Sequence, residues 1–166
     1  MNQIKNLKEL FFHEVQVMWS CEDLLVNAMP KMIANATNEG LKMSLAAHFA
    51  ETQQHKTIME LIAKQLDIPV DGDFNLGMKG ILEEGDMVLA KDATPEARDA
   101  VIIAAAQKVE HYEISGYGST AYYAERLGYT AIASQIYKIL EEERQADGKL
   151  NFLAKSIINE RAVNAG

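Results

Sequence analysis

Cysteine is nearly absent from this 166-residue sequence. Cys21 stands alone, which excludes an intrachain disulfide and any zinc site built from several thiolates. A lone cysteine fits a reducing compartment, and no Cys-x-x-Cys pair is present to hold a rubredoxin-like centre, so any reductant has to come from elsewhere. Proline is scarce, with three residues, and 48% of the chain is apolar, a composition that folds rather than staying disordered. Lysine and arginine number 16 against 24 acids, for a net charge of −8. A nucleic-acid binder needs clustered cations to neutralise phosphates, so that class is excluded. No run approaches ~20 uninterrupted apolar residues, and none is expected to span a membrane. The stretch from Met1 to Leu10 alternates charged and apolar residues and lacks the apolar run of a signal peptide.

What is present is helical periodicity. A first helix is expected over about 4–36, with Leu7, Phe11, Met18, Cys21, Leu25 and Met32 on its apolar face and a kink or break near Ala28 caused by Pro30. A second, capped by Asn38, is expected over about 39–67 and ended by Pro69. A third begins at Thr94-Pro95-Glu96, a cap followed by a proline at the first helical position, and stops at Gly128. A fourth starts after a Thr130 cap and runs to about Asn159, with a frayed tail over 161–166. Between the second and third, Leu76 to Ala90 forms a short helix weakened by Gly80 and Gly85. Two short connections and one long one predict a single domain over 1–166. It is all-α, a four-helix bundle of ferritin-like connectivity, made of two antiparallel hairpins joined by a long crossover.

The informative acids interrupt the apolar stripes. The fourth helix reads Ile132, Ile136, Ile139, Glu143, Ala146, Leu150, Leu153, Ile157, with Asp147 one turn beyond Glu143. The third reads Ile103, Ala106, Glu110, Glu113, Tyr117, Ala121, Ala124. The second, Leu41, Leu45, His48, Thr52, His55, Met59, Ile62, turns two histidines inward, with Glu51 beside them. In the first, Glu14 and Glu22 compete for the core. Buried carboxylates without counter-charges repel one another, and cations at the centre reverse that balance. Carboxylates with imidazoles suit iron or manganese.

A helix rises about 1.5 Å per residue, so distance from a turn measures height. Glu22 is 16 positions before Asn38, and Glu51 and His55 are 13 and 17 after it. Glu113 and Glu110 are 16 and 19 before Tyr129, and Glu143 and Asp147 are 14 and 18 after it. All fall 13 to 19 positions from their turns, a spread of about 9 Å or under two helical turns, whereas Glu14, 24 positions out, lies roughly 12 Å beyond the level of Glu22. The expected metal ligands are therefore Glu22, Glu51, His55, Glu110, Glu113, Glu143 and Asp147, with Glu110 and Glu143 as bridges. For His55 the alternative is a core histidine bonded to a neighbouring glutamate. His48 is expected to be supporting or structural, and Tyr117 is placed to bond a ligand carboxylate.

The run Ile102-Ile103-Ala104-Ala105-Ala106-Gln107-Lys108-Val109-Glu110-His111-Tyr112-Glu113-Ile114, with Tyr117-Gly118, resembles the signature of the YciF-like stress proteins of the ferritin-like superfamily. So do His48-Phe49-Ala50-Glu51-Thr52, Glu141-Glu142-Glu143 with Ala146-Asp147, and Leu24-Leu25 with Ala28-Met29-Pro30-Lys31. The resemblance implies a bacterial cytoplasmic protein, a homodimer, with a dinuclear iron or manganese centre and a stress-related role. Glu22, Glu51, Glu110, Glu113, Glu143 and Asp147 fall at the matching positions. Two departures separate the chain from the wider superfamily, whose diiron bundles carry Glu-x-x-His on two helices. Here Glu51 and His55 are four apart, and Asp147 stands where a histidine is the rule. Three functions follow as expectations: an oxidoreductase that consumes peroxide or activates oxygen, with an external electron donor; a metal-sequestering protein; or a structural bundle that lost its metal.

Overall fold

Local signals set the limits of most helices. Asn6 caps α1 (Leu7–Asn35), accepting from the Glu9 amide at 3.0 Å, and Asn38 caps α2 (Glu39–Gln65), accepting from the Leu41 amide at 3.0 Å. Asn75 caps the short α3 (Leu76–Leu89), and Thr94 caps α4 (Pro95–Arg126) with Pro95 at its first position. Gly128, at φ +84°, closes α4. Its amide bonds the Glu125 carbonyl and that of Tyr129 bonds Ala124, the paired pattern of a left-handed helix stop. The computed structural model describes residues 3–165. Met1, Asn2 and Gly166, the ends of the expected 1–166 domain, lie outside the described residues.

Four boundaries differ from expectation. α5 (Thr130–Leu153) has no side-chain cap: Thr130 is already its first helical residue, because the stop at Gly128 leads straight into the next helix. α2 ends at Gln65, before Pro69 can act: Asp67 takes φ 53° and lets the Ile68 amide reach the Ala63 carbonyl. Pro30 neither ends nor splits α1. It is exposed, so the carbonyl deprived of its helical partner lies on the water-facing side. The fourth long helix continues as a π-helical turn (Ala154–Ile158) and then α6 (Asn159–Val163), so the expected tail is helical to Val163. The wider turn shifts the buried face by one residue: Leu150, Ala154 and Ile158 are buried, while the expected Leu153 and Ile157 are half-buried.

α1 packs on α2 and α4 on α5, and the hairpins join through α1 on α4 and α2 on α5. Contacts at both ends fix the direction. Asp99, near the start of α4, meets the α1–α2 turn, while Tyr129 of the α4–α5 turn stacks on Phe11 near the start of α1, with ring centroids 5.6 Å apart. The crossover therefore runs the length of the bundle. It is pinned to α1 by Gln16 donating to the Pro69 carbonyl at 2.6 Å and by Asn75 donating to the Val17 carbonyl at 3.1 Å. It is pinned to α4 by the Tyr112 hydroxyl donating to Asn75 at 2.8 Å. The core is two clusters, one around Phe11, Met18, Met59, Tyr117 and Ile136, the other around Leu41, Leu45, Ile102 and Leu150.

Asp99 is buried yet satisfied. It accepts from the Thr37 amide (2.7 Å), the Thr37 hydroxyl (2.7 Å) and the Asn38 amide (2.9 Å). Asp99→Ala strands these donors and costs about 2–4 kcal/mol, read as a lower urea midpoint with unchanged slope. Gly128→Ala meets no steric obstacle, so its cost is conformational, about 1–2 kcal/mol by the same measurement.

Candidate metal centre

The interrupted stripes bring acids and histidines to one level. On α4, Glu110 and Glu113 are three apart and share the inward face with Tyr117; on α5, Glu143 follows Ile136 and Ile139; on α2, His48 and His55 are two turns apart. Glu22 of α1 completes the set and is fully buried. Two groups form. One ligand atom from each of His48, Glu110, Glu113 and Glu143 lies within 4.8 Å of the others, and the same holds for Glu22, His55 and Glu143. All six residues are buried, and Glu143 belongs to both groups. Of the two expected bridges, only Glu143 is shared.

Hydrogen bonding shows what these groups lack. Eight buried side-chain polar atoms among the described residues have no hydrogen-bond partner, and all but Gln16 Oε1 belong to this cluster: Glu22 Oε2, His48 Nε2, His55 Nδ1, Glu110 Oε2, Glu113 Oε2 and both oxygens of Glu143. Such groups are costly unless something coordinates them. His48 Nε2 lies 3.2 Å from Glu110 Oε1, and His55 Nδ1 lies 2.9 Å from Glu143 Oε1, close enough for ion pairing but out of hydrogen-bond alignment. No Lys or Arg is among the buried described residues. An oxygen-rich set with two imidazoles and unpartnered inward atoms fits divalent transition metals, and the chain holds two buried His/Glu groups able to chelate them.

Burial and mutual repulsion raise the carboxyls of Glu22, Glu110 and Glu113 when metal is absent. Burial, then the nearby Glu143, pushes Glu22 up to about 8. Burial pushes Glu110 to about 7 against the pull of His48, and burial with its carboxylate neighbours carries Glu113 well above the usual range. Burial opposes charge on the histidines, but the carboxylates outweigh it. His55 rises to about 9 beside Glu143 and Glu22, and His48 rises well above its ordinary value beside Glu110 and Glu51.

The expected residues do not all arrive together. Glu22, His55, Glu110, Glu113 and Glu143 fall in the groups; Glu51 and Asp147 fall in neither. Glu51 lies off the inward stripe and approaches the outer nitrogen of His48, Nδ1, at 3.3 Å. Asp147 turns to the edge between α4 and α5, accepts from Gln107 at 3.1 Å and sits 3.4 Å from exposed His111. His48, expected only to support, holds a place in the four-residue group, a position its own stripe had marked. Tyr117, as expected, bonds a carboxylate: its hydroxyl donates to Glu22. Glu14 stays outside, half-buried, its carboxyl raised by burial.

Two neighbours escaped sequence reasoning. Cys21 directs its thiol to Glu113 at 3.8 Å, and burial beside Glu113 and Glu22 raises that thiol well above its ordinary range. Glu142 bonds His55 Nε2 at 2.8 Å. Nothing in a single sequence separates Glu142 from the surface acids around it.

Comparison with known proteins shows what the chain is similar to. Residues 6–163 match the family described as Domain of unknown function (DUF892). Protein YciF of Escherichia coli (strain K12) is 36% identical over 162 residues, spanning 97% of this chain and 98% of its own. The crystal structure of the E. coli stress protein YciF superposes with a TM-score of 0.88 at 34% identity, over 98% of this chain and 100% of that one. YcfI of Rhodopseudomonas palustris superposes at 0.87 and 34% identity, over 90% and 96%. The all-α, ferritin-like bundle is thus shared with solved relatives. Among the described residues no helix is long and apolar enough to cross a membrane.

The raised groups fix the pH dependence of the metal-free protein. Above pH 4.5 an unfolded chain releases protons that folded Glu22 keeps to about 8 and Glu110 to about 7. Above 6.5 it releases one that folded His55 keeps to about 9. Throughout that range the folded state binds more protons, so stability falls as pH rises. The melting temperature in chelator should drop from pH 5 to pH 9, and Glu113→Gln, which removes one buried acid, should flatten the slope.

Proposed function

This chain belongs to the DUF892 family of YciF-like proteins, and on that premise we propose that it binds two iron or manganese ions in its core and handles peroxide, oxygen or iron in a stress response. The observation that carries the proposal is Glu143: it is common to both donor groups, and neither of its oxygens has a hydrogen-bond partner. A carboxylate shared in this way is what a bridged pair of ions requires. Such a pair, when bound, supplies redox chemistry and a clamp for two oxygens of one substrate.

The protein's own residues divide the work. Glu110, Glu113 and His48 hold one position with Glu143, and Glu22 and His55 hold the other. Three protein residues against four leave more of the second ion's coordination to small exogenous ligands. Tyr117 steadies Glu22 through its hydroxyl, and Cys21 offers its thiol proton to Glu113. Phe11, Met18, Met59 and Ile136, all buried in the same cluster as Tyr117, help keep bulk water out. The protein acts as the cytoplasmic homodimer that the family resemblance implies, with a separate electron donor, since the chain has no Cys-x-x-Cys pair to hold a redox centre of its own.

A second reading, sequestration without turnover, draws on the burial of all six donors, which suits holding ions more than exchanging substrate. Repeated peroxide decay with metal-loaded protein supports the first reading; a single stoichiometric burst supports the second.

Protein purified from iron- or manganese-supplemented medium should hold two ions per chain by elemental analysis. Because Glu143 serves both positions, Glu143→Ala should reduce the content well below one, whereas Glu22→Ala should remove about one ion. Metal content below one per chain in the unaltered protein, unchanged by Glu143→Ala, defeats the proposal. Where two ions bind, their addition should raise the melting temperature in a concentration-dependent way.

A further inference from the structure

Both buried histidines are gripped from the outside. His55 Nε2 is hydrogen-bonded to Glu142 Oε2 at 2.8 Å, while Nδ1 faces inward, 2.9 Å from Glu143 Oε1 and 3.7 Å from Glu22 Oε1. His48 uses the opposite nitrogens, with Nδ1 against Glu51 and Nε2 inward. The inward nitrogens are the ones without a hydrogen-bond partner. The two grips are unequal: the Glu51 contact is longer, at 3.3 Å.

Glu142 belongs to neither donor group. Its side chain is 28% exposed against 1% for His55, so it stands where the buried site meets the surface between α2 and α5. Its other oxygen lies 3.6 Å from Nζ of exposed Lys138, one turn earlier on the same helix. The His55 ring meets Tyr117 edge-on, at 6.4 Å between centroids and 73° between planes. The imidazole is thus constrained by a ring on one side and a carboxylate on the other.

We propose that Glu142 is the positioning residue of the three-donor position, accepting the Nε2–H of His55 so that Nδ1 presents its lone pair toward Glu22 and Glu143. The physical ground is general: a histidine that ligates through one nitrogen is oriented and made more basic by a carboxylate on the other, and losing that carboxylate costs 10–100-fold in affinity. This rests on the two-ion reading above. It adds that the two ions are held unequally, one through Nε2 of His48 and the other through Nδ1 of His55, with an outer carboxylate controlling the second.

Cobalt(II) is the probe, titrated by calorimetry and by visible absorption into the unaltered chain, Glu142→Ala, Glu142→Gln and Glu141→Ala. The unaltered chain and Glu141→Ala take two ions with the same absorption. Glu142→Ala weakens one of the two by roughly 10–100-fold and changes the absorption of that ion alone. Glu142→Gln, whose carboxamide oxygen still accepts from Nε2–H, recovers part of both. Two ions bound by Glu142→Ala with unaltered affinity and absorption overturn the positioning role while leaving the two-ion reading intact. Equal losses in the Ala and Gln variants also overturn it, since they mark Glu142 as a ligand itself. Fewer than two ions in the unaltered chain overturn both. Circular dichroism of the metal-free variants checks folding; if Glu142→Ala does not fold, the affinity and absorption of Glu142→Gln decide.

Discussion

Four carboxylates share the core of this bundle with no buried lysine or arginine among the described residues, and their repulsion constrains the whole molecule. Glu22, Glu110, Glu113 and Glu143 come from three helices and both hairpins, so the helices cannot pack without bringing them together. In the absence of metal, protons on Glu22 and Glu113 and charge on His48 and His55 offset the repulsion. Protons and divalent cations therefore compete for the same atoms. A buried ion set of this kind is poor for stability compared with packed apolar side chains. Its presence in the core points to chemistry or metal binding rather than to folding.

The rest of the structure can be understood as support for that core. The crossover must return along the full length of the bundle, and Gln16, Asn75 and Tyr112 bind it to α1 and α4 as it passes. Asp99 ties the start of α4 to the first turn, and the Phe11–Tyr129 stack ties the opposite end. These contacts fix the relative height of the hairpins. A slip of one helical turn, about 5.4 Å, would separate Glu143 from at least one of its groups.

Much of this was legible from residue spacing. Apolar periodicity located the helices, and the interruptions at Glu110, Glu113, Glu143, His48 and His55 are all buried. Counting residues from each turn favoured Glu22 over Glu14, as found, because rise per residue is a property of the helix and not of its neighbours. What could not be read depends on contacts between distant segments. Glu51 and His48 are three residues apart, and a long carboxylate beside an inward stripe can face either way. Asp147 follows Glu143 by one turn, but four residues advance slightly more than a full rotation, and Gln107 draws it to the groove edge. Glu142 looks like any exposed acid until α2 is laid against α5. The π-turn arises where the last helix must keep Ala154 and Ile158 on the core side, a demand set by its partners.

Both donor groups draw on the first and the second hairpin, and Glu143 is the last of the six donors to be synthesised. No fragment that ends before α5 can assemble either group. During translation the earlier acids are in place before the residue that unites them, and α1, α2 and α4 must wait for a segment that begins at Thr130. Metal capture by these groups would thus have to await α5. On the two-ion reading, a bound ion would report that both halves have met in the correct register.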